Sequence, residues 1–301
     1  MLPSELETLA LRYVPGEGPV TLERVGSGLV NESYRAARGG RLFSLRVPAP
    51  HAVELGLDRE WESRVLERAM AAGIAPIIER CEPRQGILVA RWVDGRAWTL
   101  EQVRRTENIE KIAQLARHIH ALPVPLAARM MSPAAWIAHY HEALARLGVD
   151  ANRPLRGGRR LLELRPGLEA RLAALAEPPP VSPVLCHSDL HPQNLIADDL
   201  DLIVLDWEYA HVSEPFWDLA GWIANNDLGA DSRRVLLASY LGRPPTPREG
   251  ARLQRLIWLY DYVCLLWSEL YSKLRADISR EDISGRARVL AERLTHAGEP
   301  P

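Results

Sequence analysis

The chain has 301 residues, 47% hydrophobic and 25% charged, with a formal net charge of −2. That length supports a sizeable core in one large domain or two smaller ones, and the near-balanced charge gives no field to attract a polyanion such as nucleic acid. Cys81, Cys186 and Cys264 are far apart, odd in number and without metal-ligand spacing. Neither a disulfide framework nor a zinc site is expected, and a reducing cytoplasm fits.

The opening run MLPSELETLALRYVPGEG mixes acids with apolar residues and lacks the basic start and unbroken apolar core of a signal peptide. Strands are predicted at 21–25, 33–37 and 42–47, separated by a Gly-rich turn and by Arg38-Gly39-Gly40-Arg41, which makes a small antiparallel meander. Asp58 is placed to cap a helix in which Trp61, Val65, Leu66 and Ala69 recur at helical spacing, ended by Gly73 and Pro76. A further strand at 86–93 runs into the turn Asp94-Gly95.

From Thr99 the pattern turns helical, beginning with the capping box Thr99-Leu100-Glu101-Gln102. The segment IEKIAQLARHIHAL keeps one apolar face through Ile109, Ile112, Leu115, Ala116 and Ile119. Arg153, Arg156, Arg159 and Arg160 form the one locally basic stretch, and without interleaved aromatics it reads as a solvated loop. PPPVSP is a stiff connector, and the late apolar run LIWLYDYVCLLW is broken by Asp261 and too short to span a bilayer, so no membrane partner is expected. The shift from strand-rich to helix-rich places a boundary near 95, giving an N-terminal lobe 1–95 and a C-terminal lobe 96–301.

Three polar groups follow apolar strand candidates in HSDLHPQN and, after LIADDLDLIVL, in Asp206-Trp207-Glu208. Phosphoryl transfer needs an oriented acceptor hydroxyl and a metal that neutralises phosphate oxygens. Asp189 is positioned to accept the hydroxyl proton, Asn194 and Asp206 offer the few hard oxygens that Mg²⁺ prefers, and His187 braces the loop. In the strand-rich half, Gly26, Ser27, Gly28 and Asn31 form a phosphate-approaching loop between strands. Arg46 on the next strand supplies a phosphate-binding charge, and Glu60 on the following helix is expected to hold it as an ion pair.

HSDLHPQN with LDWEYA, the Gly-rich hairpin, Arg46 and LARHIHALP together resemble the aminoglycoside phosphotransferase and choline kinase superfamily, most closely its choline kinase and thiamine kinase branches. The resemblance covers roughly residues 20 to 275. It implies an α+β, two-lobed protein-kinase-like fold, with a small antiparallel sheet and one major helix in the first lobe and a mainly helical second lobe. It further implies ATP and Mg²⁺ as cofactors, Asp189 as the base, Asn194 and Asp206 as metal ligands, and Asp218 in Trp217-Asp218-Leu219-Ala220 as a brace of the catalytic loop. Adenine would be held by connector backbone at about Ala90 to Trp92.

The acceptor is expected to be a small-molecule alcohol, and a cationic one if the C-terminal aromatics form a cage, by cation–π and Coulomb attraction. The candidate substrate residues are Glu208, Asp261, Trp267 and Tyr271, among neighbours Trp258, Tyr262 and Glu269. Aromatics at helical spacing are also what a core looks like. The choline kinases resembled here carry paired tryptophans where this chain has Cys264 and Trp267, so thiamine, ethanolamine or an amino sugar stays open, as does an aminoglycoside phosphotransferase. Two other readings remain: a metal-dependent hydrolase built on His187, Asp189 and His191, and a pseudokinase that binds nucleotide without turnover.

Overall fold

The computed structural model describes residues 3–25, 30–48, 51–155, 158–177, 182–197, 202–275 and 280–296. The chain forms two compact units. The first is drawn from Met1–Val53, Leu57–Trp98 and Pro192–Tyr209, the second from Glu54–Gly56, Thr99–His191 and Ala210–Pro301.

In the first unit, α1 (Pro3–Tyr13) precedes β1 (Thr21–Arg24), β2 (Asn31–Arg38) and β3 (Arg41–Pro48), then α2 (Arg59–Ala71), β4 (Ile78–Glu82) and β5 (Ile87–Arg91). The strands pair antiparallel in the order β1-β2-β3-β5-β4. Their alternation buries Ala36, Phe43, Leu45, Val47, Ile87 and Val89 against Ala10 and Tyr13 of α1. Asp58 caps α2 by accepting from the Trp61 amide at 2.9 Å, and Trp61, Val65, Leu66 and Ala69 are the buried face that the spacing predicts. Neither α1 nor β4 is among the sequence-based expectations. The segment 192–209 joins this unit through the hairpin β7 (Leu195–Ala197) and β8 (Leu202–Val204), which follow β6 (Val184–Cys186) of the second unit in the chain. The Ala197 amide donates to the Arg96 carbonyl at 3.1 Å, and the Val204 amide to that of Ile74 at 2.8 Å.

The second unit is mainly helical: α3 (Leu100–Val103), α4 (Thr106–His120), α5 (Pro133–Arg146), α6 (Leu161–Ala174), α7 (Phe216–Asn226), α8 (Ala230–Leu241), α9 (Pro247–Leu274) and α10 (Arg280–His296). Thr99 and Gln102 form the expected capping box on α3. The predicted apolar face of α4 is buried, and the helix packs on α8. Strands β6 (Val184–Cys186) and β9 (His211–Ser213) form a two-stranded ladder. α9 is the central element, touching α5, α7 and α10. The linker Glu54–Gly56 docks here because the Tyr140 hydroxyl donates to the Leu55 carbonyl at 3.2 Å.

The α+β class expected from the sequence is what the structure has. The division differs from a single cut at 95/96. Since 192–209 belongs with the strand-rich unit, Asn194, Asp206 and Glu208 are carried there and not by the helical one. Arg159 and Arg160 of the basic stretch pair with Glu163 on exposed surface, while Arg156 and most of PPPVSP lie outside the described residues.

Candidate active site

The first unit holds a buried ionic cluster. Arg46, only 8% exposed on β3, donates to Glu62 through both guanidinium ends, at 2.6 and 2.8 Å. The two-point geometry fixes the plane of the guanidinium. Its NH1 also reaches Asp206 Oδ1 at 3.2 Å. Arg59, one turn before Glu62, donates to Glu62 at 2.8 Å, to Glu208 at 2.9 Å and to Asn31 Oδ1 at 2.6 Å, and Asn31 Nδ2 donates to Glu208 at 2.6 Å. Burial pushes the Glu62 carboxyl up, but the charges and hydrogen bonds of Arg46 and Arg59 outweigh it and hold the group below its ordinary value. Burial, with the neighbouring Asp206 charge, takes Glu208 up to about 8 despite Arg59 and Arg46.

The partner of Arg46 is therefore Glu62 and not Glu60, which corrects the sequence-based expectation. The reason is helical phase. Glu62 lies three and four residues before Val65 and Leu66 and shares their inward face, whereas the Glu60 side chain is 58% exposed and lies 3.8 Å from Arg84. Asn31 and Glu208 are both buried and bonded to each other and to Arg59, so each orders this cluster. Gly26, Ser27 and Gly28 lie outside the described residues. Ala90 is paired in the sheet opposite Ser44 and Ile78, and the Trp92 amide donates to the Leu42 carbonyl at 3.1 Å.

Asn194 and Asp206 are linked through the backbone, because the Leu205 amide donates to the Asn194 carbonyl at 2.8 Å. Asp206 has φ +55°, a left-handed conformation that costs a non-glycine residue of order 1–3 kcal/mol and is kept where its placement matters. One amide oxygen and one carboxylate, the latter already within 3.2 Å of a guanidinium, form a hard-oxygen donor set that fits Mg²⁺.

The second unit carries the loop of Asp189. Asp218, 1% exposed on α7, accepts from the backbone amides of His187 at 2.9 Å and Ser188 at 2.6 Å. His120 Nε2 lies 3.1 Å from the same carboxylate, and His120 Nδ1 lies 2.9 Å from the Tyr240 hydroxyl. His187 is fully buried and its Nδ1 accepts from the Asp189 amide at 3.2 Å, so it braces the loop. Ser188 takes φ +70°, turning the chain into Asp189. On the far side, the Tyr260 hydroxyl donates to the Ser188 carbonyl at 3.4 Å and Asn225 Nδ2 donates to the Leu190 carbonyl at 3.3 Å. The Asp189 side chain is 30% exposed, with Oδ2 3.5 Å from His191 Nε2. Burial acts to raise its carboxyl, but His191, His187 and Arg286 bring it down to about 2. It is thus ionised across the physiological range.

Sequence reasoning did not assign roles to Glu62, Arg59, His120, Asn225 and Tyr260. Only His120 had a signal, lying within LARHIHALP.

The candidate substrate residues of α9 are largely engaged. Asp261, 5% exposed, is held by Arg293 of α10, and Tyr262 stacks on Trp258 at 5.5 Å. Arg171 covers a face of Trp258 at 4.4 Å, and both these rings are core. Trp267 stacks on Tyr271 at 4.9 Å, with Tyr271 buried. His187, Asp189 and His191 do not converge as ligands. Among the described residues, the group of His, Cys and carboxylate atoms lying within 4.8 Å of one another is His120, Cys186 and Asp218, whose carboxylate is already hydrogen-bonded.

A strand-rich unit with a buried Arg–Glu pair and a helical unit with a braced aspartate loop define a protein-kinase-like chain. The match to solved structures agrees: a choline/ethanolamine kinase family protein from Mesorhizobium loti aligns with TM-score 0.78 at 24% identity, over 100% of this chain and 96% of that one. The choline kinase LicA from Streptococcus pneumoniae aligns with TM-score 0.74 at 21% identity, over 97% and 98%. The phosphotransferase enzyme family, APH, matches residues 21–253, and the chain belongs to that family. Protein LicA of Haemophilus influenzae is 25% identical over 225 residues, 71% of this chain and 60% of that protein's length. No helix among the described residues is long and apolar enough to cross a membrane.

Proposed function

We propose that this chain transfers the γ-phosphate of ATP to a hydroxyl group of a small molecule. The observation that carries the reading is the Asp189 loop: two backbone amides anchored on the buried Asp218, a third on His187, and a carboxylate kept ionised and partly exposed. A rigid, ionised carboxylate is what orients an acceptor hydroxyl and accepts its proton. Family membership and the choline kinase fold support the same reaction class.

Arg46, aligned by Glu62, supplies positive charge for the nucleotide phosphates, and Arg59 with Asn31 and Glu208 keeps that pair in place. Asn194 and Asp206 would hold Mg²⁺, which when bound neutralises phosphate oxygens. Connector backbone from Ala90 to Trp92 is assigned to adenine, where side-chain identity matters little. Three free cysteines support a reducing compartment such as the cytoplasm.

Purified protein should consume ATP in a Mg²⁺-dependent way against a panel of hydroxylated metabolites. Asp189→Asn should abolish turnover while nucleotide affinity, measured by calorimetry, stays within about threefold, since the lost group acts on the acceptor. Loss of ATP binding together with turnover would remove the role assigned to Asp189. Asp206→Ala should lower turnover by several orders of magnitude, and near-normal activity in that variant would remove the metal assignment.

A further inference from the structure

On α10, Arg286 is exposed and directs a guanidinium nitrogen to Asn225 Oδ1 at 3.4 Å. Asn225 in turn donates to the Leu190 carbonyl, next to Asp189, and to the Tyr260 hydroxyl at 3.2 Å. A fixed cation is thereby tied by one residue to the loop that carries the base. We infer that Arg286 reads an oxyanion on the acceptor alcohol, so that the substrate is a hydroxylated carboxylate or phosphate and not a quaternary ammonium. The inference rests on the kinase reading above and names the substrate class of that same site.

Three observations support it. The described partners of Arg286 are Asn225 and Cys264, so most of the five donors of its fork stay open to a ligand, in a geometry that matches a carboxylate or phosphate. Arg286 is a permanent cation that acts on Asp189 and reaches the loop through Asn225, so an ammonium brought to this side of the loop meets a fixed like charge. Three of the groups on α9 expected to answer such a cation are already committed. Asp261 is neutralised by Arg293, Trp258 gives one face to Arg171 and another contact to Tyr262, and Trp267 stacks with Tyr271.

The test is steady-state ATP turnover by the full chain with Mg²⁺ and four acceptors of similar size: choline, glycerol, glycerate and glycerol 3-phosphate. Glycerate or glycerol 3-phosphate should give the highest kcat/KM, and which of the two wins tells a carboxylate reader from a phosphate reader. Arg286→Gln should raise KM for that acceptor roughly 10- to 100-fold, the usual worth of a charge-assisted hydrogen bond, with kcat changed far less. Arg286→Lys, which keeps the charge without the fork, should recover part of the loss, and Arg286→Glu should move the preference toward choline. The inference is overturned if choline is the best acceptor and stays so in Arg286→Gln. It is equally overturned if the substitution lowers kcat for every acceptor alike, which would mean that Arg286 acts on the transferred phosphate or on the fold. No ATP consumption with any acceptor would overturn the kinase reading itself, and this inference with it.

Discussion

Two glutamates on the first turn of α2 show how much one residue's phase decides. Glu62 compensates two buried guanidinium groups, Arg46 and Arg59, and its removal takes from both their shared carboxylate, leaving Asp206 to Arg46 and Glu208 to Arg59, away from water. Glu62→Ala should therefore destabilise the protein by about 3–5 kcal/mol, and Glu60→Ala by less than about 0.5 kcal/mol, in urea unfolding. Equal effects would contradict the pairing. Asp218 carries a pH signature of its own. Burial acts to raise its carboxyl, but the His120 hydrogen bond and the loop amides win and hold it below the unfolded value. A depressed acid contributes stability above its unfolded pKa and loses it as pH falls toward the folded one. The stability gap between the native chain and Asp218→Asn should accordingly be widest near pH 7 and shrink below about pH 4, read from melting temperatures. At this scale the sequence singled out Asp189, Asn194, Asp206 and Arg46 by residue type and spacing. It did not expose partners such as Asn225 and Tyr260, whose neighbours are distant in the chain and meet only through packing.

Elements were most legible where their ends are chemically marked. The Asp58 cap and the Thr99–Gln102 capping box placed the starts of α2 and α3. α1 and β4 carry weaker local signals and owe their form to the sheet they cover or extend. The α9 aromatics illustrate the same limit, because helical spacing fits a core and a cage equally well, and only tertiary contacts assign Trp258 and Tyr262 to the core. The packing of α7 on α9 is tight enough to test. A Cβ on Gly221 would come within 2.8 Å of the Tyr260 ring. Gly221→Ala should cost about 1–3 kcal/mol in stability and, by shifting the Tyr260 hydroxyl from Ser188, lower kcat more than it alters nucleotide affinity. An unchanged kcat would show that Tyr260 does not set the loop.

At the level of the whole chain, a strand-rich part followed by a helix-rich part could be read from periodicity, but the membership of 192–209 could not, since nothing local distinguishes a hairpin of one unit from a hairpin of the other. The first unit is discontinuous and its interior depends on that late segment. Trp207 is fully buried there, its Nε1 donating to the Val204 carbonyl at 3.0 Å, and β8 bonds to Ile74. A fragment ending at Trp98 should consequently show no cooperative thermal transition, whereas the intact chain should. Cooperative melting of the fragment would mean that the late hairpin is dispensable.

The same discontinuity has a consequence during synthesis. A ribosome adding about 5–20 residues per second spends roughly 5–20 s between Trp98 and Pro192. Throughout that interval the nascent strand-rich unit waits with α2 lacking the Trp207–Tyr209 turn that packs on it, so this unit cannot finish folding before the helical segments between are made, even though most of it emerges ahead of them.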